Sequence, residues 1–480
     1  MVPKERASKY GTFFILRIVR LAAFQFKRAF GCKVNLTPLR NMKRIREHAA
    51  GIDIGAKKVF VFVEGQEVKN FLTFTEDFEQ LRDYLLNLHV NTVAMEATGV
   101  YWNILYEILE EAGIDVWLVD GRQTKQVPGR KTDVKDCQWI QQLHSYGLLN
   151  RCFVAQADIK ELRGYQRLRE DHLRSASMHI NHMQKALTEM NIRLKEVLSQ
   201  IHGSSGMAII EAILKGERNK EKLLAMCHSS IIKNKKEEIL KSLNGRYTKA
   251  GLFALQQAFD AYHFYQIQIQ QCDKMMNEII KKMGNKHSEN QTNTLQNTKR
   301  KAIRHNKPDI KELGVNLIKI FKGKDATILS GITDYSWMQL LSETGTNLSQ
   351  WPTEKHYTSW LGLSPGQHSS GKTRKNKRKA GRPKAGQIFR QIAQSLMASK
   401  NIALGSFGRK LRARKGPSIA IKAVARKLAI LYWRVMEKGL EYAEKGIEKY
   451  EKQLLQQKHK TLLRLATELN MQISDIKLIT

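Results

Sequence analysis

Residues 49–55 read Ala-Ala-Gly-Ile-Asp-Ile-Gly, an apolar run that ends in one acidic residue and a glycine. The run Ala49–Ile54 predicts a strand, and residues 59–63 predict a second strand after the turn Gly-Ala-Lys-Lys. Residues 68–74 suit a third strand. The first recognisable domain therefore begins with three short strands.

Helices and strands alternate in the residues that follow. Residues 78–88 and 101–112 have helical periodicity, whereas residues 92–95 and 116–119 are short apolar runs typical of buried strands. A basic, Gly-containing loop then leads to a helix that begins near Asp133. The order β-β-β-α-β-α-β-α predicts an α/β domain with an RNase-H-like fold, in which helices cover the faces of a mixed sheet.

Four carboxylates occupy the ends of these predicted elements. Asp53 follows the apolar part of the first strand and Glu96 ends the fourth, while Asp133 and Asp136 lie three residues apart on one helix face. Mg²⁺ and Mn²⁺ prefer oxygen ligands, and two such ions about 4 Å apart can assist both oxygens of a phosphoryl transfer. Together the four predict a divalent-metal site, although each alone also fits a surface group or, for Asp133, a helix N-cap.

Residues 51–58 also resemble the first phosphate loop of sugar kinases and actin-like ATPases. Those folds need a second Gly-rich phosphate loop and an adenosine loop, and the sequence contains neither pattern. A strongly basic chain is also unusual for a sugar kinase. The metal site is therefore the preferred interpretation.

The charge balance points to a polyanionic partner. The formal net charge is +36, from 81 Lys and Arg against 45 Asp and Glu. Each neutralised phosphate releases counterions, so nucleic acid is the expected partner and an anionic membrane surface is the main rival. The apolar run at 13–26 is interrupted by Arg17 and Arg20 and is too short to span a bilayer, so we expect no membrane attachment. The five Cys lack Cys-x-x-Cys spacing, which fits a cytoplasmic location.

Two heptad stripes follow the α/β domain and predict long helices. The first stripe consists of Leu173, Ala176, Ile180, Met183, Leu187, Met190, Leu194 and Val197. The second consists of Leu252, Leu255, Phe259, Tyr262, Tyr265, Ile269, Cys272, Met276 and Ile279. The helices could form a coiled coil, as an antiparallel hairpin or with another protomer, and an ordinary bundle core fits equally well.

Composition shifts divide the 480-residue chain into a series of parts. We expect a basic extension (1–45), the α/β domain (46–155), a coiled-coil helical region (156–285), a polar linker (286–309), a second and mainly helical domain (310–440) and a charged C-terminal helix (441–480).

A serine pair lies in a basic segment of this second domain. Residues 360–371 read Trp-Leu-Gly-Leu-Ser-Pro-Gly-Gln-His-Ser-Ser-Gly, an apolar helix end followed by a loop that contains Ser369 and Ser370. Serine attacks a phosphodiester poorly unless it loses its proton and the phosphate charge is offset. On its own the segment also fits a Ser-Gly turn in a solvated loop. The cations that could offset the charge, and that we predict to bind nucleic acid, are Lys372, Arg374, Lys375, Lys377, Arg378, Lys379, Arg382 and Lys384.

In this order, the motifs resemble those of the DEDD transposases of the IS110 insertion-sequence family, also known as bridge-RNA-guided serine recombinases. The resemblance spans residues 47–440. It rests on the motifs around Asp53 and Glu96, on Lys-Thr-Asp-Val-Lys-Asp (131–136), on the coiled-coil insert and on Leu-Gly-Leu-Ser-Pro-Gly-x-x-x-Ser-Gly (361–371).

The resemblance implies a RuvC-like N-terminal domain with the RNase H fold, a coiled coil and a C-terminal transposase domain with a catalytic serine. It implies that the four acidic residues hold Mg²⁺ (or Mn²⁺) and that Ser370, with Ser369 as the alternative, forms a covalent phosphoserine link to DNA. A free 3′-hydroxyl then reverses the link, and a non-coding bridge RNA pairs with target and donor DNA.

Two other functions stay open at this point. One is an RNase-H-like nuclease or junction resolvase that uses the acidic site alone, and the other is a non-catalytic nucleic-acid-binding derivative of a transposase. We expect a homodimer or homotetramer, because the heptad stripes offer a partner surface and strand exchange needs two active centres. The expected location is the cytoplasm of a bacterium or archaeon, in association with the nucleoid.

Overall fold

The computed structural model describes residues 43–124, 133–286, 303, 306–365, 368–370, 373–375, 383–399 and 402–469. It divides into two compact units, residues 1–154 and 155–480. The expected basic extension lies almost entirely outside the described residues. Among the described helices, none is long and apolar enough to cross a membrane.

The first unit is a five-stranded mixed sheet with helices. Its strands are Ala49–Ile54 (β1), Lys58–Val63 (β2), Lys69–Leu72 (β3), Thr92–Glu96 (β4) and Asp115–Val119 (β5). Its helices are Thr75–Asn87 (α1), Trp102–Glu111 (α2), Gly121–Thr124 (α3) and Asp133–Ser145 (α4). The strand order is β3-β2-β1-β4-β5; β1, β2 and β3 are antiparallel neighbours, whereas β4 runs parallel to both β1 and β5. This confirms the predicted RNase-H-like fold, with the short helix α3 as an addition.

Apolar side chains cover both faces of the sheet. On one face Ile52 of β1 packs in a cluster with Leu81 of α1 and Leu105 of α2. On the other face Ala94 of β4 packs in a cluster with Ile140 of α4. Strands buried on both sides need nearly continuous apolar runs, which is why β1 and β4 were recognisable in the sequence.

A buried histidine joins α4 to the sheet. His144 is completely buried, and its Nε2 atom lies 2.9 Å from the Thr92 hydroxyl. Its ring meets the Trp117 ring edge-on. The Arg46 guanidinium lies over the same Trp117 ring, 4.2 Å from its centroid. Burial, together with the smaller effect of the positive charge of Arg46, lowers the pKa of His144 to about 4, although Asp115 opposes the shift. The imidazole is therefore neutral in the folded unit at neutral pH.

We expect this histidine to make the first unit acid-sensitive. Below about pH 6.5 the unfolded chain binds a proton that the folded unit does not accept until about pH 4. The free energy of unfolding should therefore fall by about 3 kcal/mol as the pH drops through this window. Hydrogen exchange of β4 and β5 in the full chain measures the effect, and His144→Gln should flatten it. An equal loss in both proteins would contradict the assignment to His144.

The second unit begins with a long helical hairpin. Its helices are Ala157–Glu189 (α5), Leu194–Val197 (α6), Ser204–Leu214 (α7), Lys220–Ala225 (α8), Ser229–Ser242 (α9) and Lys249–Lys286 (α10). Helices α5 and α10 run antiparallel, because Asp158 near the start of α5 pairs with Lys286 at the end of α10, and His179 further along α5 stacks on Tyr265. Of the arrangements that the heptads left open, the structure has the antiparallel hairpin.

The first heptad stripe does not correspond to one helix. Helix α5 ends at Glu189, and Asn191 has a left-handed backbone (φ 58°). The last stripe residues, Met190, Leu194 and Val197, are nevertheless buried, because they enter the core of a small helical head formed around α6 to α9. The expectation of a continuous helix to Val197 was wrong for this reason.

Ion pairs and hydrogen bonds of two arginines fix the base of the hairpin to the C-terminal helices. Arg169 of α5 and Asp273 of α10 form a pair at 2.5 Å with almost no exposure, and Arg169 also donates to the Tyr335 hydroxyl at 3.0 Å. Arg167 binds both carboxylate oxygens of Glu343, at 2.9 and 2.8 Å. Bidentate pairs between Arg and a carboxylate hold a defined geometry.

Most of the expected polar linker (286–309) lies outside the described residues. Its described end contacts the hairpin: the Asn306 carbonyl accepts from Arg169 at 3.2 Å, and the Asp309 amide donates to Asp273 at 3.1 Å. Residues 306–309 are thus part of the packed second unit.

The rest of this unit is mainly helical, as predicted. Its elements are the helices Leu313–Ile320 (α11), Asp334–Thr344 (α12) and Glu354–Trp360 (α13), the strands His368–Ser370 (β6) and Thr373–Lys375 (β7), and the helices Lys384–Ala398 (α14), Ala403–Lys415 (α15), Pro417–Lys438 (α16) and Leu440–Glu468 (α17), with a 3₁₀ turn at Ala326–Ile328. Tyr357, Phe389 and Tyr432 are completely buried and pack together, with ring centroids 5.6–6.4 Å apart. This aromatic cluster joins α13, α14 and α16.

Candidate active site

Two of the predicted acids lie at one edge of the sheet. In the parallel β1–β4 pair, Ile52 lies opposite Met95, so Asp53 and Glu96 occupy the next positions on neighbouring strands. Neighbouring strands are about 4.8 Å apart, which brings these two residues close together. Ile52 and Met95 are completely buried, whereas Asp53 and Glu96 are half-buried. The carboxylates therefore lie where the apolar core gives way to solvent.

Helix α4 brings a third acid to Asp53. A side chain at Gly51 would overlap the Cys137 carbonyl oxygen and the Gln141 amide nitrogen, so the missing Cβ lets α4 lie directly on β1. Burial, with smaller contributions from the nearby charges of Asp53 and Asp136, raises the pKa of the Cys137 thiol to about 12. Asp53 and Asp136 are thus both near one buried thiol.

Glu96 is held by a residue that the sequence did not single out. The Thr124 hydroxyl donates to Glu96 Oε2 at 2.6 Å, and Thr124 is itself buried. A Cβ at Gly121 would overlap Glu96 Oε1, so α3 lies against the carboxylate. No pattern of periodicity or spacing pointed to Gly121 or Thr124, because their role depends on a contact across the sheet edge.

Asp133 differs from the other three acids. It is the first residue of α4 and is exposed, and residues 125–132 before it lie outside the described part of the chain.

Within the described ranges, no group of three or more His, Cys, Asp or Glu residues is close enough to hold a metal ion. Carboxylate oxygens do suit Mg²⁺, which commonly takes one or two protein carboxylates and completes its shell with water and phosphate. The four-residue metal set stays a prediction.

The close approach at Gly51 gives a testable link between packing and the site. We expect Gly51→Ala to force α4 away from β1, with a loss of about 1–3 kcal/mol in stability and a displacement of Asp136 from Asp53. Thermal unfolding measures the first effect, and hydrogen exchange in the first turn of α4 measures the second. Gly164→Ala is the matched control, since a Cβ there has open space and stabilises helix α5 by up to about 1 kcal/mol. Wild-type behaviour of Gly51→Ala would contradict the packing argument.

The residues just before the segment with the serine pair contact the residues just after it. A Cβ at Gly386 would overlap the Leu361 carbonyl oxygen, and a Cβ at Gly362 would lie 3.4 Å from the Pro383 ring. Arg390 of α14 also donates to the Gly362 carbonyl at 3.3 Å. The ends of the segment are therefore fixed to each other on a buried helical base.

Within this segment the backbone forms a hairpin where the sequence predicted a loop. Strands β6 and β7 are antiparallel, with Ser369 opposite Arg374 and Ser370 opposite Thr373. Ser370 is the last paired residue of β6. A short strand pair could not be foreseen, because polar and basic residues in both strands give no apolar alternation.

The predicted nucleic-acid-binding cations have different places in the structure. Lys384 begins α14, and its Nζ lies 3.4 Å from Glu170 Oε2 on the hairpin helix α5. Gln339 of α12 donates to the other oxygen of Glu170 at 3.1 Å. Arg374 and Lys375 belong to β7, where only the backbone is described. The remaining predicted cations lie outside the described residues: Lys372, Lys377, Arg378, Lys379 and Arg382.

Comparison with known proteins gives two matches, in chain order. Residues 50–192 match a family model for DEDD transposases of the IS110 type, described as "Transposase". Residues 327–407 match a model described as "Transposase IS116/IS110/IS902 family". The first match includes all of the sheet except Ala49, together with the four acids, and the second includes the serine hairpin. A search of curated proteins found no match.

Proposed function

Because the chain belongs to the IS110 family of transposases, enzymes of phosphoryl transfer on DNA, we propose that it cuts and rejoins DNA strands through a metal-binding acidic site and a nucleophilic serine. The observation that carries the proposal is the adjacency of Asp53 and Glu96 at the edge of the sheet, with α4 packed across β1 beside them. Two carboxylates at the ends of neighbouring parallel strands are costly unless a cation compensates their repulsion.

In this proposal Asp53, Glu96, Asp133 and Asp136 hold Mg²⁺ (or Mn²⁺). The ion would offset the negative charge that develops on the scissile phosphate. The protein residues fix the geometry: Thr124 holds one oxygen of Glu96, and the contact at Gly51 keeps Asp136 near Asp53. Asp133, at the exposed start of α4, is the acid with the most freedom to move towards a ligand.

The serine would make the covalent bond. Ser370 Oγ loses its proton and attacks the phosphorus, an Oγ–P bond forms, and the P–O3′ bond breaks to release a 3′-hydroxyl. In the second step a 3′-hydroxyl of the exchanged strand attacks the phosphoserine and frees Ser370. Phosphodiester energy is retained in the protein–DNA bond, so the reaction needs no ATP. Ser369 is the alternative nucleophile, one residue earlier in β6.

Guidance and assembly complete the proposal. A non-coding bridge RNA would select target and donor DNA by base pairing, and a homodimer or homotetramer would supply the active centres for strand exchange. The net charge of +36 supports a large nucleic-acid partner. The two helices of the antiparallel hairpin pack against each other within one chain, so an assembly would use surfaces other than their heptad stripes.

A trapped protein–DNA adduct tests the proposal. The full chain, Mg²⁺, DNA from the flanks of its gene and RNA transcribed from the adjacent non-coding stretch are incubated and resolved under denaturing conditions. We expect a covalent adduct that maps to Ser370 by mass spectrometry. Strand cleavage without any adduct would favour a nuclease that uses the acids alone, and binding without cleavage would favour a non-catalytic derivative.

A further inference from the structure

The C-terminal part of the chain contains an uninterrupted basic region. Residues 355–436 include twenty Lys and Arg and not one Asp or Glu. More than half of the net charge of +36 therefore originates in this stretch. It extends well beyond the serine segment and its cations, into α15 and α16.

Several of these cations serve the fold itself. Arg434 of α16 forms a bidentate pair with Glu354, at 2.5 and 2.6 Å. Arg409 donates to the Met397 carbonyl at 3.1 Å, and Lys427 lies over the Phe407 ring at 4.5 Å. Such contacts explain part of the basic region as structural.

Four other cations are exposed at the junction of α15 and α16. They are Lys410, Arg412, Arg414 and Lys415, which we call the junction surface. Cations in the last turn of a helix stabilise its negative end, which accounts for part of the cluster.

The helix that follows makes this cluster unfavourable without an anion. Helix α16 begins at Pro417, directly after Gly416 (φ 82°), and has no acidic residue in its first turn. An acidic residue would normally complement the positive start of a 22-residue helix, yet here the nearest charges along the chain are Arg414 and Lys415. Like charges therefore meet at the junction, and a bound polyanion would relieve their repulsion.

We propose that the junction surface binds the phosphate backbone of duplex DNA, as a contact separate from the serine segment. Backbone contacts need cations on a rigid element and carry no sequence information, which suits four exposed cations on and beside helix ends. Sequence-specific RNA recognition instead uses exposed aromatic side chains on which bases stack. Between residues 383 and 438, the described residues expose one large apolar side chain, Ile419, and no aromatic one.

The salt dependence of DNA binding tests this contact. The variant is the full chain with Lys410→Gln, Arg412→Gln, Arg414→Gln and Lys415→Gln. We expect the slope of log K against log salt, measured with a mixed-sequence DNA duplex, to become shallower by about 3.6, because each of the four lost phosphate contacts removes about 0.9. EDTA in the assay prevents cleavage, so the result does not depend on the acidic site or on Ser370.

A charge-matched control separates this surface from net charge. Four exposed lysines of the helical head are replaced by Gln in the control: Lys222, Lys233, Lys236 and Lys241. We expect the control to keep the wild-type slope. An equal change in both variants, or a loss of stem-loop RNA binding with DNA binding intact, would overturn the proposal. If the quadruple variant misfolds, the double variants Lys410→Gln with Arg412→Gln and Arg414→Gln with Lys415→Gln should each give about half the change.

Discussion

We expect Asp53→Asn to abolish strand exchange, with a loss of about 10³-fold or more in rate, while DNA binding stays nearly unchanged. The substitution preserves size and keeps an oxygen, but it removes the charge that would hold Mg²⁺ beside the phosphate. The cations that neutralise DNA phosphates are untouched, so the salt dependence of binding should match that of the wild type. Strand-exchange rates and binding titrations on the same DNA measure the two parts.

Asp83→Asn is the matched control, because Asp83 lies in the same unit on α1 and its side chain is 58 % exposed. It should leave both exchange and binding as they are. Thermal unfolding of the Asp53 variant should also stay close to that of the wild type, since asparagine keeps the size of the side chain and one of its oxygens. Recombination at the wild-type rate in Asp53→Asn would refute the acidic site as the metal site.

The sequence predicted the first unit well because its fold depends on burial. Strands β1 and β4 are covered on both faces, so their residues had to be apolar, and the acids at their ends marked where the core stops. The placement of Asp53 beside Glu96 then follows from two neighbouring parallel strands. Local periodicity was therefore sufficient to predict these strands and the positions of the two acids.

Contacts between distant residues could not be predicted in the same way. The heptad stripe that ends at Val197 has the same apolar spacing inside α5 and in the head, so the spacing did not show the break at Asn191. The Glu96–Thr124 hydrogen bond and the Lys384–Glu170 ion pair join residues that no shared pattern connects. Lys384 was predicted to contact nucleic acid, and its pairing with Glu170 gives it a second role at the start of α14.

Ser370→Ala is expected to eliminate the covalent adduct and strand exchange, whereas Ser369→Ala should retain both at a reduced rate. Loss of the nucleophile removes the bond-forming atom itself, so the fall should reach the detection limit, and metal binding at the acids cannot compensate for it.

The two variants form a close pair of controls for one another. Both change one serine in β6, at neighbouring positions of the same hairpin, and the ends of the segment are fixed by Leu361, Gly362 and Gly386 in either case. A single hydroxyl forms the covalent bond, so only one of the two variants should lose the adduct entirely. Adduct yield on denaturing gels and the rate of strand exchange should therefore separate them clearly. The reverse outcome, with the adduct lost in Ser369→Ala alone, would move the nucleophile to Ser369, and cleavage that persists in both variants would leave the acids as the sole catalytic groups.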